Sequence, residues 1–334
     1  MKHARNGIPR RTALAMFATA LLAGTAGASS WRPSQPVRIV VPFAAGGPSD
    51  TIARIVADEM TTVLGEPIYI ENISGEGGRT GVLRFLDEAR DGHTLIMGHM
   101  GTHGAAPSLT GNLGYDPMAD FAPVGLAAGT PLVICASRKI NVRTIDQLKE
   151  FVAANRGRIR MAHAGRGSVS HAGGLLLDAA LKIEPTFVAY AGTGPALNDI
   201  VSGDIDLIAD QIVNVLPAIT ARKIVPLAIA SRERSPILSG VPTVGEIGLE
   251  GMRVDAWNAL FAKAGTPPEQ IAALHEALRI ALGRPATRAR LFDLGAEIPD
   301  EASGTSEALR RLVEDETRRW AALLHELRGN QVLR

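Results

Sequence analysis

This chain of 334 residues has one cysteine, few aromatic residues and no large excess of positive or negative charge. The single cysteine, Cys135, has no partner for a disulfide within the chain, and its apolar neighbours predict a small buried core residue. Aromatic residues make up 4%, which argues against a site that recognises sugars by ring stacking. The formal net charge is +1 and no basic run is interleaved with aromatics, so we expect no nucleic-acid partner.

Motifs of several enzyme classes are also missing. There is no G-x-S-x-G nucleophile elbow and no P-loop, and the glycines between residues 75 and 81 have the wrong spacing for a dinucleotide fingerprint. Asp50 and Asp210 could form a catalytic pair if their environments differ. The alternative is that Asp50 caps a helix and orients a ligand, while Asp210 or Gln211 offers a hydrogen bond. We favour this alternative and predict no catalytic residue, because no other residue nearby looks like a nucleophile.

A metal site is suggested only superficially by the histidines at 93, 99, 103, 163 and 171. His99 and His103 are four residues apart, a spacing that brings two ligands together only on a helix, whereas the glycines around them predict a loop. No glutamate follows His99, so the H-E-x-x-H signature is absent. We expect polar loop histidines, no bound metal and no cofactor.

The first 28 residues predict a secretory signal peptide. A basic start ends at Arg10-Arg11, the apolar stretch 13–23 is short for a membrane span, and Ala26-Gly27-Ala28 has the small-x-small pattern of a cleavage site. An uncleaved membrane anchor is the alternative, and the arginine pair leaves the twin-arginine route open beside the general one. No second long apolar run follows, so we expect an exported, soluble mature chain.

Strand-like and helix-like runs alternate through the remainder of the chain, which implies parallel sheets with helices on both faces. The predicted strands are 37–41, 67–71, 94–98, 122–127, 132–136, 160–162, 186–188, 207–209 and 225–229. The predicted helices are 51–64, 80–88, 144–154, 170–181, 194–202, 215–220, 268–282, 285–294 and 303–327.

The loop between the first strand and the first helix has the composition of an anion site. Gly46 and Gly47 allow a tight turn and a close approach of the backbone to a ligand, and Asp50 stands where the helix should begin. Free N–H groups at a helix N-terminus favour an anion. An ordinary strand-to-helix turn, capped by Asp50, is the alternative interpretation.

Four further loops after predicted strands combine glycine or alanine with small polar side chains. Because ligands of open parallel sheets collect beyond the carboxyl ends of the strands, these loops and the first one predict a single shared site. The loops are 43–50, 98–104, 163–171, 189–194 and 209–211.

With those loops, the chain resembles the Bug-type extracytoplasmic solute-binding receptors of the tripartite tricarboxylate transporter family. The resemblance runs from about Trp31 to the C-terminal helix. It rests on motifs in a fixed order: Pro36-Val37-Arg38-Ile39-Val40-Val41-Pro42-Phe43, Gly46-Gly47 with Asp50, Asp91-Gly92-His93-Thr94-Leu95, Tyr115-Asp116-Pro117, Tyr190-x-Gly192 and Arg234-Ser235-Pro236.

The resemblance implies an α/β periplasmic-binding-protein (type II-like) fold, with two α/β lobes and a ligand cleft between them. It implies that the chain crosses between the lobes twice. We place lobe 1 at 29–130 and 254–334, and lobe 2 at 131–253. It also implies hinge closure on a small carboxylate in the periplasm, delivery to membrane permease subunits, and a monomer without enzymatic activity.

The family's ligand-binding positions fall on three groups of residues in this sequence. The first-strand loop contributes Phe43, Ala44, Ala45, Gly46, Gly47 and Asp50; the next cleft loop contributes Met100, Thr102 and His103; lobe 2 contributes Gly167, Ser168, His171, Tyr190, Ala191 and Asp210. Arg166 stands where asparagine is common and could add a charged donor to a carboxylate. A receptor for a membrane signalling partner and an exported enzyme on the same fold stay open as alternatives.

Overall fold

A computed structural model describes residues 31–329, so the predicted signal peptide at 1–28 lies outside the described residues. The strands, in chain order, are β1 Val37–Val41, β2 Ile68–Asn72, β3 Thr94–His99, β4 Phe121–Gly129, β5 Leu132–Ser137, β6 Arg160–His163, β7 Thr186–Ala189, β8 Leu207–Gln211, β9 Ile224–Ile229 and β10 Trp257–Lys263.

Helices follow most of the strands, as the alternating pattern predicts. They are α1 Pro48–Leu64, α2 Arg79–Leu86, α3 Ala106–Leu109, α4 Ile145–Ala154, α5 Val169–Leu181, α6 Thr193–Ser202, α7 Ile212–Thr220, α8 Pro268–Gly283, α9 Pro285–Asp293 and α10 Ser306–Gly329. None of the helices within 31–329 combines the length and the apolar character that crossing a bilayer requires.

Two five-stranded sheets organise the molecule. The first has the strand order β2-β1-β3-β10-β4, and the second has the order β7-β6-β8-β5-β9. Each sheet contains one strand that runs against the others, β10 in the first and β5 in the second. The expected parallel pairing is present among β1, β2 and β3 and among β6, β7 and β8, while β10 and β5 run antiparallel; the α/β class with two sheets is confirmed.

The two antiparallel strands are the first strands that the chain forms after each passage between the sheets. β5 follows the passage into the second sheet, and β10 follows the passage back into the first. The first passage lies between β4 and β5 and the second lies before β10, and the N–H of Thr130 donates to the carbonyl of Ala256 at 2.7 Å, so the passages are side by side. The chain leaves the first sheet at the carboxyl end of β4 and starts β5 beside the carboxyl end of β8. A strand that starts at that edge must run opposite to its neighbours.

Strands at the centre of each sheet are buried on both faces. Residues Leu95, Ile96 and Met97 of β3 all have 0% exposure, which requires helices above and below the sheet. The run that forms β10 is equally buried and shows no alternation of apolar and polar residues. Sequence periodicity did not identify this strand for that reason.

The C-terminal helix α10 packs over β4 and over the π-helical turn Gly101–Ala105 of the first sheet's lobe. Its buried face carries Leu309, Val313 and Leu324 around Trp320, which is fully buried. The indole Nε1 of Trp320 donates to Glu316 Oε2 at 2.9 Å, so the polar atom of this large side chain has a partner in the core.

Trp320→Ala should lower the free energy of unfolding by about 3–5 kcal/mol, because it leaves a large cavity and removes the donor to Glu316 Oε2. Urea denaturation measures this loss. Arg310→Ala on the exposed face of the same helix is the control and should change stability by less than about 0.5 kcal/mol. Equal effects of the two substitutions would contradict the packing of α10 described here.

Candidate functional site

A small cavity lies where the carboxyl ends of the parallel strands in the two sheets face each other. Its volume is about 20 Å³, enough for roughly one water molecule. Its lining comes from both sheets' loops: Phe43, Gly47, Pro48, Ser49, His99, Ala164, Ser168, Val169, Ser170, Thr193, Asp210 and Gln211.

Four helices begin at this cavity. The first turn of α1 contributes Ser49, the first turn of α5 contributes Ser170, α6 begins at Thr193, and Gln211 is the N-cap of α7. The first N–H groups of a helix have no partner within the helix, and the helix dipole places positive potential there. Four such ends surround one cavity with no lysine or arginine in its lining, so main-chain donors and hydroxyls are the groups available there to an anion.

Several larger cavities lie elsewhere in the described part of the chain. One of about 230 Å³ lies beside His275 on α8, and one of about 590 Å³ lies beside Arg253 and Arg319. Neither is lined by the first turn of α1, α5, α6 or α7. We therefore choose the small cavity as the candidate site because helix N-termini line it, although other cavities have larger volumes.

The first loop is held in shape by Asp50. Its carboxylate accepts hydrogen bonds from Gly46 N, Asn72 Nδ2 and both Nε and Nη2 of Arg54, at 2.8–3.0 Å. Burial alone would raise the pKa of Asp50, but the bonds from Arg54, Gly46 and Asn72 outweigh it and lower the pKa. Gly46 has φ +81°, a conformation that glycine adopts without strain. Asp50 thus positions the loop, and its oxygens are used outside the cavity.

The loops of the two sheets touch directly at the rim of the cavity. The N–H of Ala44 donates to the carbonyl of Ala191 at 3.2 Å, and Gly77 lies so close to Arg166 that a Cβ there would be 1.9 Å from its carbonyl oxygen. The Arg166 side chain is exposed and donates from Nε to the carbonyl of Leu109 at 2.8 Å. This side chain lies outside the cavity lining and bridges the two sides, so donation from Arg166 to a carboxylate stays a prediction.

Asp210 is the one ionisable acid in the cavity lining. It is fully buried at the end of β8, and Asn214 Nδ2 donates to its Oδ2 at 2.6 Å. Burial raises the pKa of Asp210 to about 6, against hydrogen bonds from Thr193, Asn214 and the N–H of Gln211 that favour the charged form. Near neutral pH this carboxyl is therefore close to its titration range.

His99 is the histidine in the cavity lining, and it is neutral. Burial lowers the pKa of His99 to about 4. The N–H of Thr102 donates to His99 Nδ1 at 3.0 Å, so the hydrogen of the neutral ring lies on Nε2. The ring stacks on Phe43 with centroids 4.7 Å apart. Such a ring can donate one hydrogen bond and carries no charge.

A buried polar network connects the cavity to both chain passages. Ser49 Oγ donates to Asn258 Oδ1 at 2.7 Å, and Asn258 Nδ2 donates to Gln211 Oε1 at 2.7 Å. The hydroxyl of Thr130, in the first passage, donates to the same Gln211 oxygen at 2.6 Å. All four residues are buried, so the network joins a helix start on one side to a helix start on the other.

The structure brings only part of the predicted site to the cavity. Four predicted residues line it: Phe43, Gly47, Ser168 and Asp210. Four others form the rim where the loops meet: Ala44, Ala45, Gly46 and Ala191. Gly167 precedes the capping serine of α5 and donates from N to His171 Nδ1 at 3.3 Å, and the His171 ring packs on His163 outside the lining.

The remaining predicted positions point elsewhere. Met100, Thr102 and His103 are fully buried, and the His103 ring stacks on Phe261 at 4.1 Å within the core. The expected loop at 98–104 is instead a π-helical turn, which directs these side chains inward. Tyr190 donates its hydroxyl to Asp199 Oδ2 at 2.6 Å, away from the cavity.

Sequence reasoning missed most of the helix starts as individual site residues. Ser49, Ser170 and Thr193 lie in the first turns of α1, α5 and α6, and small hydroxyl residues at those positions are a readable signal of a helix N-terminus. His99 was predicted as a polar loop histidine in the segment 98–104 and was not singled out as a ligand-binding residue. Within residues 31–329, no group of three or more His, Cys, Asp or Glu side chains is arranged to hold a metal ion.

Comparison with known proteins identifies the family. A sequence model described as "Tripartite tricarboxylate transporter family receptor" matches residues 52–328. A curated relative from Agrobacterium vitis, a UPF0065 protein in the TAR-I ttuE-ttuC' intergenic region, is 37% identical over 314 residues, which cover 94% of this chain and 90% of the relative.

Two solved structures extend the similarity to the fold. MatC from Rhodopseudomonas palustris, solved with bound malate, has a TM-score of 0.85 and 44% identity, and the match covers 87% of this chain and 99% of MatC. The periplasmic binding protein BugD has a TM-score of 0.85 and 37% identity, with coverage of 88% and 98%. The two-sheet architecture, the site at the facing strand ends and these matches agree. The chain belongs to the tripartite tricarboxylate transporter receptor family, a family of periplasmic solute-binding proteins.

Proposed function

We propose that this protein captures a small carboxylate in the periplasm and delivers it to the membrane subunits of a tripartite tricarboxylate transporter. The observation that carries the proposal is the convergence of four helix N-termini on one cavity without a basic side chain in its lining. Such a site neutralises a carboxylate with fixed N–H donors, which need no reorganisation when the ligand enters. The similarity to a malate-bound protein supports the same ligand class.

The ligand lies between two lobes in this proposal. Lobe 1 comprises 29–130 and 254–334, and lobe 2 comprises 131–253, with the boundaries in the two adjacent passages. This division is supported by the strands, because β1–β4 and β10 form one sheet and β5–β9 form the other. We assign ligand contacts to Ser49 of lobe 1 and to Ser168 and Thr193 of lobe 2, together with the neighbouring main-chain amides.

Hinge opening is required for the ligand to enter. The cavity of about 20 Å³ is smaller than any organic acid, and the loop contact between Ala44 and Ala191 covers its rim. Opening at the two passages separates these loops, and a ligand that contacts both lobes shifts the population to the closed form. The chain acts as a monomer in this scheme, because both halves of the site come from one chain.

Catalysis is not part of the proposal. Asp50 and Asp210 could form an acid–base pair only if both faced the cavity. The oxygens of Asp50 accept hydrogen bonds within the first loop, and of the two residues only Asp210 lines the cavity. One carboxyl with no paired nucleophile suits binding better than turnover.

A thermal-shift screen tests the ligand class directly. The panel contains malate, longer dicarboxylates, tricarboxylates and monocarboxylates, with an uncharged polyol as the negative control. A carboxylate that binds the folded protein raises the melting temperature in a concentration-dependent way, by mass action. Stabilisation by the polyol alone, or by no acid in the panel, would contradict the proposal.

Ser168→Ala should weaken malate binding roughly tenfold or more, because Oγ lines the cavity and a hydrogen bond to a charged ligand group is lost. Calorimetric titration measures the change. Thr144→Ala is the matched control, because Thr144 caps α4 of the same lobe far from the cavity, as Ser168 caps α5. Both variants should lose about 1 kcal/mol of stability through the lost cap, and only the first should lose affinity.

Asp50→Ala should loosen the first loop and lower the stability by about 1–3 kcal/mol, since Gly46, Arg54 and Asn72 lose an acceptor. The pKa of Asp50 is lowered in the folded protein, so its contribution is complete above the unfolded pKa and disappears as the pH falls through the folded one. The stability difference from wild type, measured by urea denaturation, should therefore be largest at neutral pH.

Malate affinity of the Asp50→Ala variant should also fall, because the amides of the Gly46-Gly47 turn are no longer held in place. Asp58→Ala on the exposed side of the same helix removes only a surface ion pair with Arg290 and serves as the control. A constant stability difference down to pH 3, or unchanged malate affinity in the Asp50 variant, would refute the positioning role.

A further inference from the structure

The anion site already contains one acid of its own. Asp210 is fully buried, lines the cavity and lies at the start of α7, where the helix dipole favours negative charge. Its hydrogen-bond partners are the side chains of Thr193 and Asn214 and the N–H of Gln211. None of these partners is a cation, so no fixed positive charge stabilises a second negative charge in the same space.

The groups around Asp210 are neutral near pH 7. On the neighbouring strand β5, burial raises the pKa of Cys135 well above its usual value. Across the cavity, burial lowers the pKa of His99 to about 4, and at the end of β6 burial also lowers the pKa of His163. On α5, burial, His163 and Arg166 together lower the pKa of His171 to about 3. Asp210 is thus the group in this environment whose pKa is shifted toward neutral pH, whereas the pKa of each of these histidines is shifted away from it.

A carboxylate that enters the cavity meets the charge of Asp210 at short range. Two carboxylates that share a water-poor site cannot both stay ionised at low cost, so one of them binds a proton. The ligand carboxylate is held by helix N-termini from both lobes, whereas Asp210 is fully buried and already close to protonation. The proton therefore goes to Asp210, whose hydroxyl can then donate a hydrogen bond to the ligand.

We propose that Asp210 is the proton-binding residue of the site, so that the protein captures an organic anion together with one proton. This inference rests on the proposed binding of a carboxylate and adds to it the linkage to pH. A group whose protonation is favoured by the ligand strengthens binding at low pH. Affinity for malate should therefore fall as the pH rises above about 6, the pKa of Asp210 in the free protein.

Calorimetric titration with malate at pH 7, in buffers of low and high ionisation enthalpy, counts the protons taken up. We expect roughly 0.5–0.9 proton per malate, since the free carboxyl is mostly ionised at this pH and the bound one is not. Malate itself is mostly ionised there, because carboxyl groups titrate near pH 4. The number of protons bound per malate is therefore measured on the wild-type protein, without any variant. If malate gives no heat of binding, adipate replaces it as the ligand.

Asp210→Asn keeps the size and polarity of the side chain and removes its proton exchange. In this variant we expect proton uptake close to zero and an affinity at pH 8 at least equal to that of the wild type, with little change between pH 6 and pH 8. Asp178→Asn is the matched control, because burial also raises the pKa of Asp178 but this residue lies near the opposite end of α5. It should leave the proton uptake unchanged.

The outcomes separate this inference from the proposed function. Binding of malate without proton uptake by the wild type overturns the inference and leaves the proposed function intact. Undiminished uptake by the Asp210→Asn variant also overturns it, because the proton then binds another group such as His99. Failure of every acid in the carboxylate panel to bind removes the proposed function, and this inference with it.

Discussion

The convergence of four helix N-termini is the feature on which the site depends. A helix cannot satisfy its own first N–H groups, and in this fold the starts of α1, α5, α6 and α7 all face the space between two sheets. The dipoles of these helices add at that point, which gives the cavity positive potential without a single lysine or arginine in its lining. A positive potential of this kind favours a negatively charged ligand such as a carboxylate.

The course of the chain explains why the helix starts meet. Helices that follow parallel strands begin at the carboxyl edge of a sheet, and the chain passes from one sheet to the other at that same edge. The antiparallel strands β5 and β10 are a direct result, since each begins where its neighbours end. The network of Ser49, Asn258 and Gln211 lies at this junction and holds the two sides in register. The cavity and the chain passages therefore share residues, and under the proposed function this sharing couples ligand binding to closure.

Much of the fold was readable from local pattern. Buried strands such as Val37–Val41, glycines at the turn after them, and helical spacing in 51–64 predicted a strand–loop–helix unit that the structure contains. The antiparallel direction of β10 was not readable, because an apolar run carries no information about the direction of its neighbours. Strand order depends on which long-range pairs form, and a single sequence does not display them.

In the site, too, local sequence signals identify some residues, whereas the positions of others depend on contacts with distant parts of the chain. Ser168 was placed in the site by the resemblance, and the structure shows that it caps α5; a capping serine is a local signal, which could also have pointed to its neighbour Ser170. His103 was placed in the cleft by analogy, yet its ring stacks on Phe261, which lies on a strand far along the chain. Asp210 was predicted as a hydrogen-bonding residue, and only its complete burial reveals that it can exchange a proton near neutral pH.

A crystal structure of the complex with malate is the most direct test of the account. We expect one ligand carboxylate in the cavity between the sheets, with its oxygens about 2.7–3.2 Å from main-chain nitrogens or hydroxyls in the first turns of α1 and α5. A malate carboxylate bound by arginine or lysine side chains, or lodged in one of the larger cavities beside Arg253 or His275, would contradict it.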